Sequence, residues 1–90
     1  MEQIETDDWY SRLIKGRLES YIVTGQDLPR VVKATLTNMD KCSMTRDMLA
    51  KMLDEIYAAS VRPFLEAAVG SPWYQPDRDK RFVLLKTELS

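Results

Sequence analysis

Hydrophobic residues recur every three or four positions over most of this chain, which is the spacing of one face of an α-helix. The first such row consists of aromatic and aliphatic residues: Trp9, Leu13, Ile14 and Tyr21. Thr6 is the expected N-cap of this helix, and Gly25 is its expected end, because glycine readily adopts the left-handed conformation that terminates helices. Residues 21–24 have a strand-like composition, which leaves open an earlier end.

Two further helices are predicted in the middle of the chain. The first begins at Asp27-Leu28-Pro29, since proline is tolerated in a first helical turn, and ends near Asp40–Cys42. Its apolar row is Leu28, Val31, Val32, Leu36 and Met39. Ser43 or Thr45 is the expected cap of the next helix. That helix carries a wide apolar arc typical of a helix seated in a core: Met48, Leu49, Met52, Leu53 and Ile56.

Pro63 predicts that the helical pattern breaks near Ala58–Ser60, because a proline inside a continuing helix removes a backbone hydrogen bond and clashes with the preceding turn. Ser60 is then the expected cap of a fourth helix, which ends at Gly70. Its expected buried stripe is Val61, Phe64, Leu65, Ala68 and Val69. The segment Ser71–Pro76 is predicted to be a loop that carries Trp73 and Tyr74.

The last segment allows two interpretations. Residues 81–89 form either a final helix or a short strand, and we favour the helix because a strand needs a partner strand. The sequence thus predicts an all-α fold, a small bundle of four helices with a fifth C-terminal element. We expect one domain over residues 1–90, with residues 1–5 frayed.

Composition narrows the class of protein. A chain of 90 residues with 44% hydrophobic and 30% charged residues is typical of a soluble globular domain. No apolar run is long enough to span a bilayer, and the acidic N-terminus does not resemble a secretory signal. The single cysteine, Cys42, suits a reducing cytoplasm. A domain this small buries a limited core, so we also expect self-association into a homo-oligomer.

The residue types that most often carry catalysis are scarce. The chain has no histidine, and Cys42 has neither a histidine partner nor a second cysteine at CxxC spacing. Asp77 and Asp79 flank Arg78 without the further ligands of a metal loop. We therefore predict a non-enzymatic protein with no cofactor and no metal site.

Nucleic-acid binding is one of the alternatives that the sequence leaves open. Thr45–Leu53, followed by a break and Ser60–Val69, resembles a helix-turn-helix unit, and VVKATLTNMDKCSMTRDMLAKML is similar to helix-leading segments of small phage and bacterial regulators. The resemblance implies a DNA-binding transcriptional regulator that acts as a dimer. The linker Asp54–Ala59 is longer than the usual turn. The cations available to contact DNA are Arg12, Lys15, Arg17 and Arg62.

Protein binding is the function that the remaining features favour. Rigid aromatic residues on a loop are typical anchors of protein interfaces. The predicted contact surface is the aromatic loop with a basic rim: Trp73, Tyr74, Arg78, Lys80 and Arg81. The methionine-rich row from Met39 to Met52 lines either the core or an interface. The leading hypothesis is a small regulatory or inhibitory protein of the kind that phages and bacteria encode; a structural subunit of a larger assembly is a further alternative.

Overall fold

The computed structural model describes the backbone of residues 2–90 and the side chains of residues 9–90. Five α-helices and no strand occur in this part of the chain: α1 (Glu2–Thr24), α2 (Leu28–Cys42), α3 (Arg46–Ser60), α4 (Arg62–Glu66) and α5 (Asp77–Leu89). The predicted all-α class is therefore confirmed, and the ambiguous C-terminal element is a helix. Helix α1 begins at Glu2, so Thr6 lies within the helix and the prediction that Thr6 is its N-cap is wrong. The side chains of residues 1–5, predicted to be frayed, lie outside the described range.

Helix α1 continues to Thr24 and does not stop at the strand-like residues 21–24. Tyr21 and Ile22 are buried in the core, so tertiary packing outweighs their local preference for a strand. Gly25 ends the helix as predicted, with a φ of 72° and a backbone N–H that donates to the carbonyl of Tyr21 at 2.6 Å. A three-residue connection, 25–27, leads directly into α2, and these two helices have the most extensive contact in the fold.

The buried face of α1 differs from the predicted row. Ile14, Leu18 and Ile22 are fully buried at four-residue spacing, and Tyr10 continues this row toward the N-terminus. Trp9 lies one residue away from that row, about 100° around the helix, and is 56% exposed. The prediction that Trp9 belongs to the core is therefore wrong.

Helices α2 and α3 lie largely as predicted. Pro29 is in the first turn of α2, and the Thr45 hydroxyl caps α3 by accepting from the backbone N–H of Met48 at 3.2 Å. The predicted rows contain two errors, because Leu36 and Met48 are both exposed. The other methionines of the row, Met39, Met44 and Met52, are buried in the core.

The break before α4 comes later than predicted. Helix α3 runs through Ser60, and only Val61 separates it from α4. Ser60 is not a cap, since its hydroxyl donates to the carboxylate of Glu19 at 3.3 Å. Helix α4 ends at Glu66 after five residues, and Ala67 is extended, with φ −64° and ψ 152°. The predicted buried stripe ends with the helix, because Ala68 and Val69 are exposed.

Helix α5 unites the fold by packing against each of the four other helices. Phe82, Leu85 and Leu89 on one face of α5 are buried in the common core. Because α5 follows directly on residues 67–76, its first turn fixes the position of that segment.

Candidate functional site: the aromatic loop

Residues 67–76, called here the aromatic loop, connect α4 to α5 through a series of tight turns. The backbone N–H of Ser71 donates to Ala68, that of Tyr74 to Ser71, and that of Gln75 back to the carbonyl of Phe64 at 2.9 Å. Gly70 has a φ of 91°, a conformation that disfavours any side chain. These bonds close the loop onto α4 and give it a defined shape.

Arg78, in the first turn of α5, holds the loop against α3 and α4. Its Nε donates to Oε1 of Gln75 at 2.7 Å, and its Nη1 donates to the carbonyl of Ser60 at 3.0 Å. Its guanidinium also lies over the ring of Phe64, with 3.8 Å between the guanidinium carbon and the ring centroid. One side chain thus joins the end of α3, the middle of α4, the loop and α5. Partial burial, together with the nearby charge of Arg81, lowers the pKa of Arg78 from its ordinary value.

Two large apolar side chains of the loop point into solvent despite this ordering. Trp73 is 66% exposed and Val69 is 83% exposed. The Trp73 ring lies 6.5 Å from the ring of Phe64, centroid to centroid, at an interplanar angle of 51°. Tyr74 is half-buried. The loop therefore presents an indole that is supported on one side by Phe64 and is open to solvent on the other.

The predicted basic rim contains two arginines that bind other parts of the fold and one lysine that is exposed to solvent. Arg81 donates from Nη1 to the carbonyl of Ile22 at 2.8 Å, so it binds the C-terminal end of α1 and serves the fold. Arg78 contacts Gln75, Ser60 and Phe64, as described above. Lys80 is exposed. Of the predicted surface, Trp73 and Lys80 are the most accessible members.

The cations predicted for DNA binding do not converge on α4. The guanidinium of Arg62 lies 5.7 Å from the ring centroid of Tyr57, Lys15 is 3.9 Å from the carboxylate of Glu55, and Arg12 also has a partner. Arg17 lines a cavity against α2. The predicted linker Asp54–Ala59 is not a turn at all but part of α3. A helix as short as α4 is about 7.5 Å long, which is little surface for reading a groove.

The sequence did not predict two features of the protein surface, one on the aromatic loop and one between α1 and α2. Val69 was expected in a buried stripe, yet it is the most exposed of the large apolar residues described. No role was assigned to Arg30 and Lys33 from the sequence, and the structure brings both to the same cavity as Arg17. Neither feature has a signal in the sequence, because each depends on where α4 stops or on how α1 and α2 pair.

Within the described residues, no three His, Cys, Asp or Glu side chains gather as a metal ion would require. Cys42 is buried, and its thiol lies 3.8 Å from the carbonyl of Met39. None of the described helices combines the length and the apolar character needed to cross a bilayer.

Comparison of the chain with protein-family models, with characterised proteins and with solved structures gave no match.

Proposed function

We propose that this chain is a small non-enzymatic regulatory or inhibitory protein that binds another protein through the aromatic loop. The observation that carries the proposal is the exposure of Trp73 on a loop held by internal hydrogen bonds. An ordered loop loses little conformational entropy when it binds, so exposed apolar area on it converts efficiently into affinity. Tryptophan is enriched among the residues that dominate binding energy at interfaces, where replacement of one such residue by alanine costs about 2 kcal/mol or more.

The partner that fits this surface offers an apolar pocket for the indole of Trp73. Val69 and the half-buried Tyr74 supply further apolar contact, and Lys80 supplies a charged rim. Arg78 and Arg81 support the loop and α5 from within, so their part in binding is to hold the surface in shape. The proposal includes an origin in a phage or bacterium and action in the cytoplasm.

A capture experiment with matched tryptophan variants tests the proposal. The tagged chain is used to capture partners from a lysate of the native host, and each captured protein is quantified by mass spectrometry. We expect Trp73→Ala to reduce capture of the specific partner at least tenfold, and Tyr74→Ala to reduce it less. Trp9→Ala is the control, because Trp9 is similarly exposed but lies on α1.

Either of two results would contradict the proposal: equal capture by Trp73→Ala and the unsubstituted chain, or an equal reduction by Trp9→Ala. Thermal denaturation of each variant keeps loss of binding separate from loss of folding. Since Trp73 is mostly exposed, its substitution should leave the midpoint nearly unchanged.

Self-association is part of the same proposal. Its support is the exposed apolar surface of this small domain. The large apolar residues that are exposed include Trp9, Leu36, Met48, Val69, Trp73, Val83 and Leu84. Light scattering over a range of protein concentrations measures it directly. A dimer agrees with the regulatory protein proposed here, whereas a discrete higher oligomer would favour a structural subunit of a larger assembly. A mass equal to one chain at every concentration would remove self-association from the proposal.

A further inference from the structure

A groove between α1 and α2 collects cations that are far apart in the sequence. Its volume is about 320 Å³, and it is lined by six residues: Arg17, Arg30, Lys33, Ala34, Thr37 and Asn38. Arg17 comes from α1 and the others come from one face of α2, at the three- and four-residue spacing of a helix. None of the six is acidic, although the chain as a whole carries a net charge of −1.

Among the described residues, the three cations of the groove lack the partners that neighbouring cations have. Lys15 faces Glu55, and Arg12 is also engaged. In the described part of the chain, by contrast, Arg17, Arg30 and Lys33 make no ion pair and no side-chain hydrogen bond, and all three are exposed. Three like charges in a groove whose own lining has no carboxylate create a local positive potential, which an anion would neutralise.

A second cavity of about 280 Å³ lies beside the first and shares Arg17 and Arg30 with it. Its lining includes Asp27, whose carboxylate repels an anion. The two arginines therefore stand at the boundary between the two cavities. An anion is drawn to the Lys33 side of that boundary, which has no carboxylate in its lining.

From this arrangement we infer that the α1–α2 groove binds the phosphodiester backbone of a nucleic acid. Two guanidinium groups offer the forked donors that match phosphate oxygens, and Lys33 adds a point charge. Thr37 and Asn38 supply neutral hydrogen-bonding groups of the kind that contact base edges or sugars. This site is separate from the aromatic loop and does not depend on the function proposed for it.

An acidic protein surface is the competing ligand, and the composition of the groove argues against it. Protein interfaces are centred on large apolar or aromatic anchors, and their charged residues lie mainly at the rim. Of the six residues that line this groove in the described part of the chain, Ala34 alone is apolar, and none is a large apolar or aromatic anchor. A polyanion that is recognised through its charges needs no such anchor.

Fluorescence anisotropy with a labelled 20-nucleotide single strand and a labelled 20-base-pair duplex tests the inference. If three cations contact phosphates, affinity should fall about 20-fold for the single strand, or about 40-fold for the duplex, between 50 and 200 mM salt. The tighter of the two ligands identifies the form of nucleic acid that the groove prefers. Labelled polyglutamate in the same assay represents an acidic protein surface.

Two triple variants with the same change in net charge provide the control. In the first, Arg17→Gln, Arg30→Gln and Lys33→Gln are combined; in the second, Lys41→Gln, Lys51→Gln and Lys86→Gln, all at exposed positions elsewhere, are combined. We expect the first to lose at least tenfold in affinity and most of the salt dependence, and the second to change less than threefold. Circular dichroism should be unchanged in both.

Three results would overturn the inference. The first is an absence of binding to both nucleic acids at 20 mM salt. The second is an equal loss of affinity in the two triple variants, which would indicate a response to net charge alone. The third is binding of polyglutamate as tight as that of the nucleic acids, which would assign the groove to an acidic protein.

Discussion

The guanidinium of Arg78 lies over the ring of Phe64, 3.8 Å from the guanidinium carbon to the ring centroid. The same guanidinium donates to the carbonyl of Ser60, the last residue of α3. The Phe64 ring in turn supports Trp73. A residue in the first turn of α5 thus connects the end of α3 and the middle of α4 with the loop proposed to bind a partner.

Replacement of Arg78 by alanine should lower the free energy of unfolding by about 2 kcal/mol. The loss combines a cation–π contact with a charge-assisted hydrogen bond to a carbonyl, which are worth about 0.5–2 and 1.5–3 kcal/mol respectively and are not additive. Arg78→Lys should recover less than half of the loss, because an ammonium cannot occupy the Phe64 face, Gln75 and Ser60 together. Urea denaturation measures both values.

The control for Arg78 is Lys80→Ala, a neighbouring cation on the same helix that is exposed to solvent. Its substitution should change stability by no more than about 0.5 kcal/mol. A similar effect from Arg78→Ala would mean that the observed contacts contribute no net stability.

Gly25 and Arg81 should be energetically coupled. A Cβ atom added at Gly25 would lie 2.7 Å from Nε of Arg81, and the φ of 72° is in the left-handed region. Gly25→Ala should therefore cost about 1–3 kcal/mol, from backbone strain and from displacement of the arginine that binds the carbonyl of Ile22. In an Arg81→Ala background the same substitution should cost at least about 0.5 kcal/mol less, as a double-mutant cycle in urea would measure.

Gly16 provides the comparison for this cycle, because it lies within α1 and an added Cβ would meet nothing within 4 Å. Gly16→Ala should stabilise the protein by up to about 1 kcal/mol through helix propensity alone. Equal costs of Gly25→Ala with and without Arg81 would show that the two residues are independent.

Thr35→Val should raise stability by about 1 kcal/mol. Thr35 is fully buried in α2, and its hydroxyl has no hydrogen-bond partner within the described part of the protein. Valine has nearly the same shape and removes the cost of burying that hydroxyl. Thr37→Val, at an exposed position of the same helix, should change stability by less than about 0.5 kcal/mol. A thermal midpoint lowered by Thr35→Val would contradict this account.

Much of the helical framework could be predicted because its signals are local. Pro29 and Gly25 act through their own backbone, so their positions fix helix ends without knowledge of the rest of the fold. The cap of α3 was predicted only as Ser43 or Thr45, and the structure selects Thr45. The end of α4 could not be predicted in this way. Its predicted stripe satisfied the helical period through Val69, but the backbone turns away after Glu66, where Gln75 bonds back to Phe64.

The composition and periodicity of the chain by themselves determined an all-helical domain, most of its helix ends and the aromatic character of its exposed loop. Only the tertiary structure decided that Trp9 faces solvent while Leu18 is buried, and that Arg81 binds the end of α1. It also brought Arg17 to the same groove as Arg30 and Lys33. The physical reason is that helical periodicity defines a face but not its partner, whereas burial and charge clustering depend on how faces from distant parts of the chain pack together.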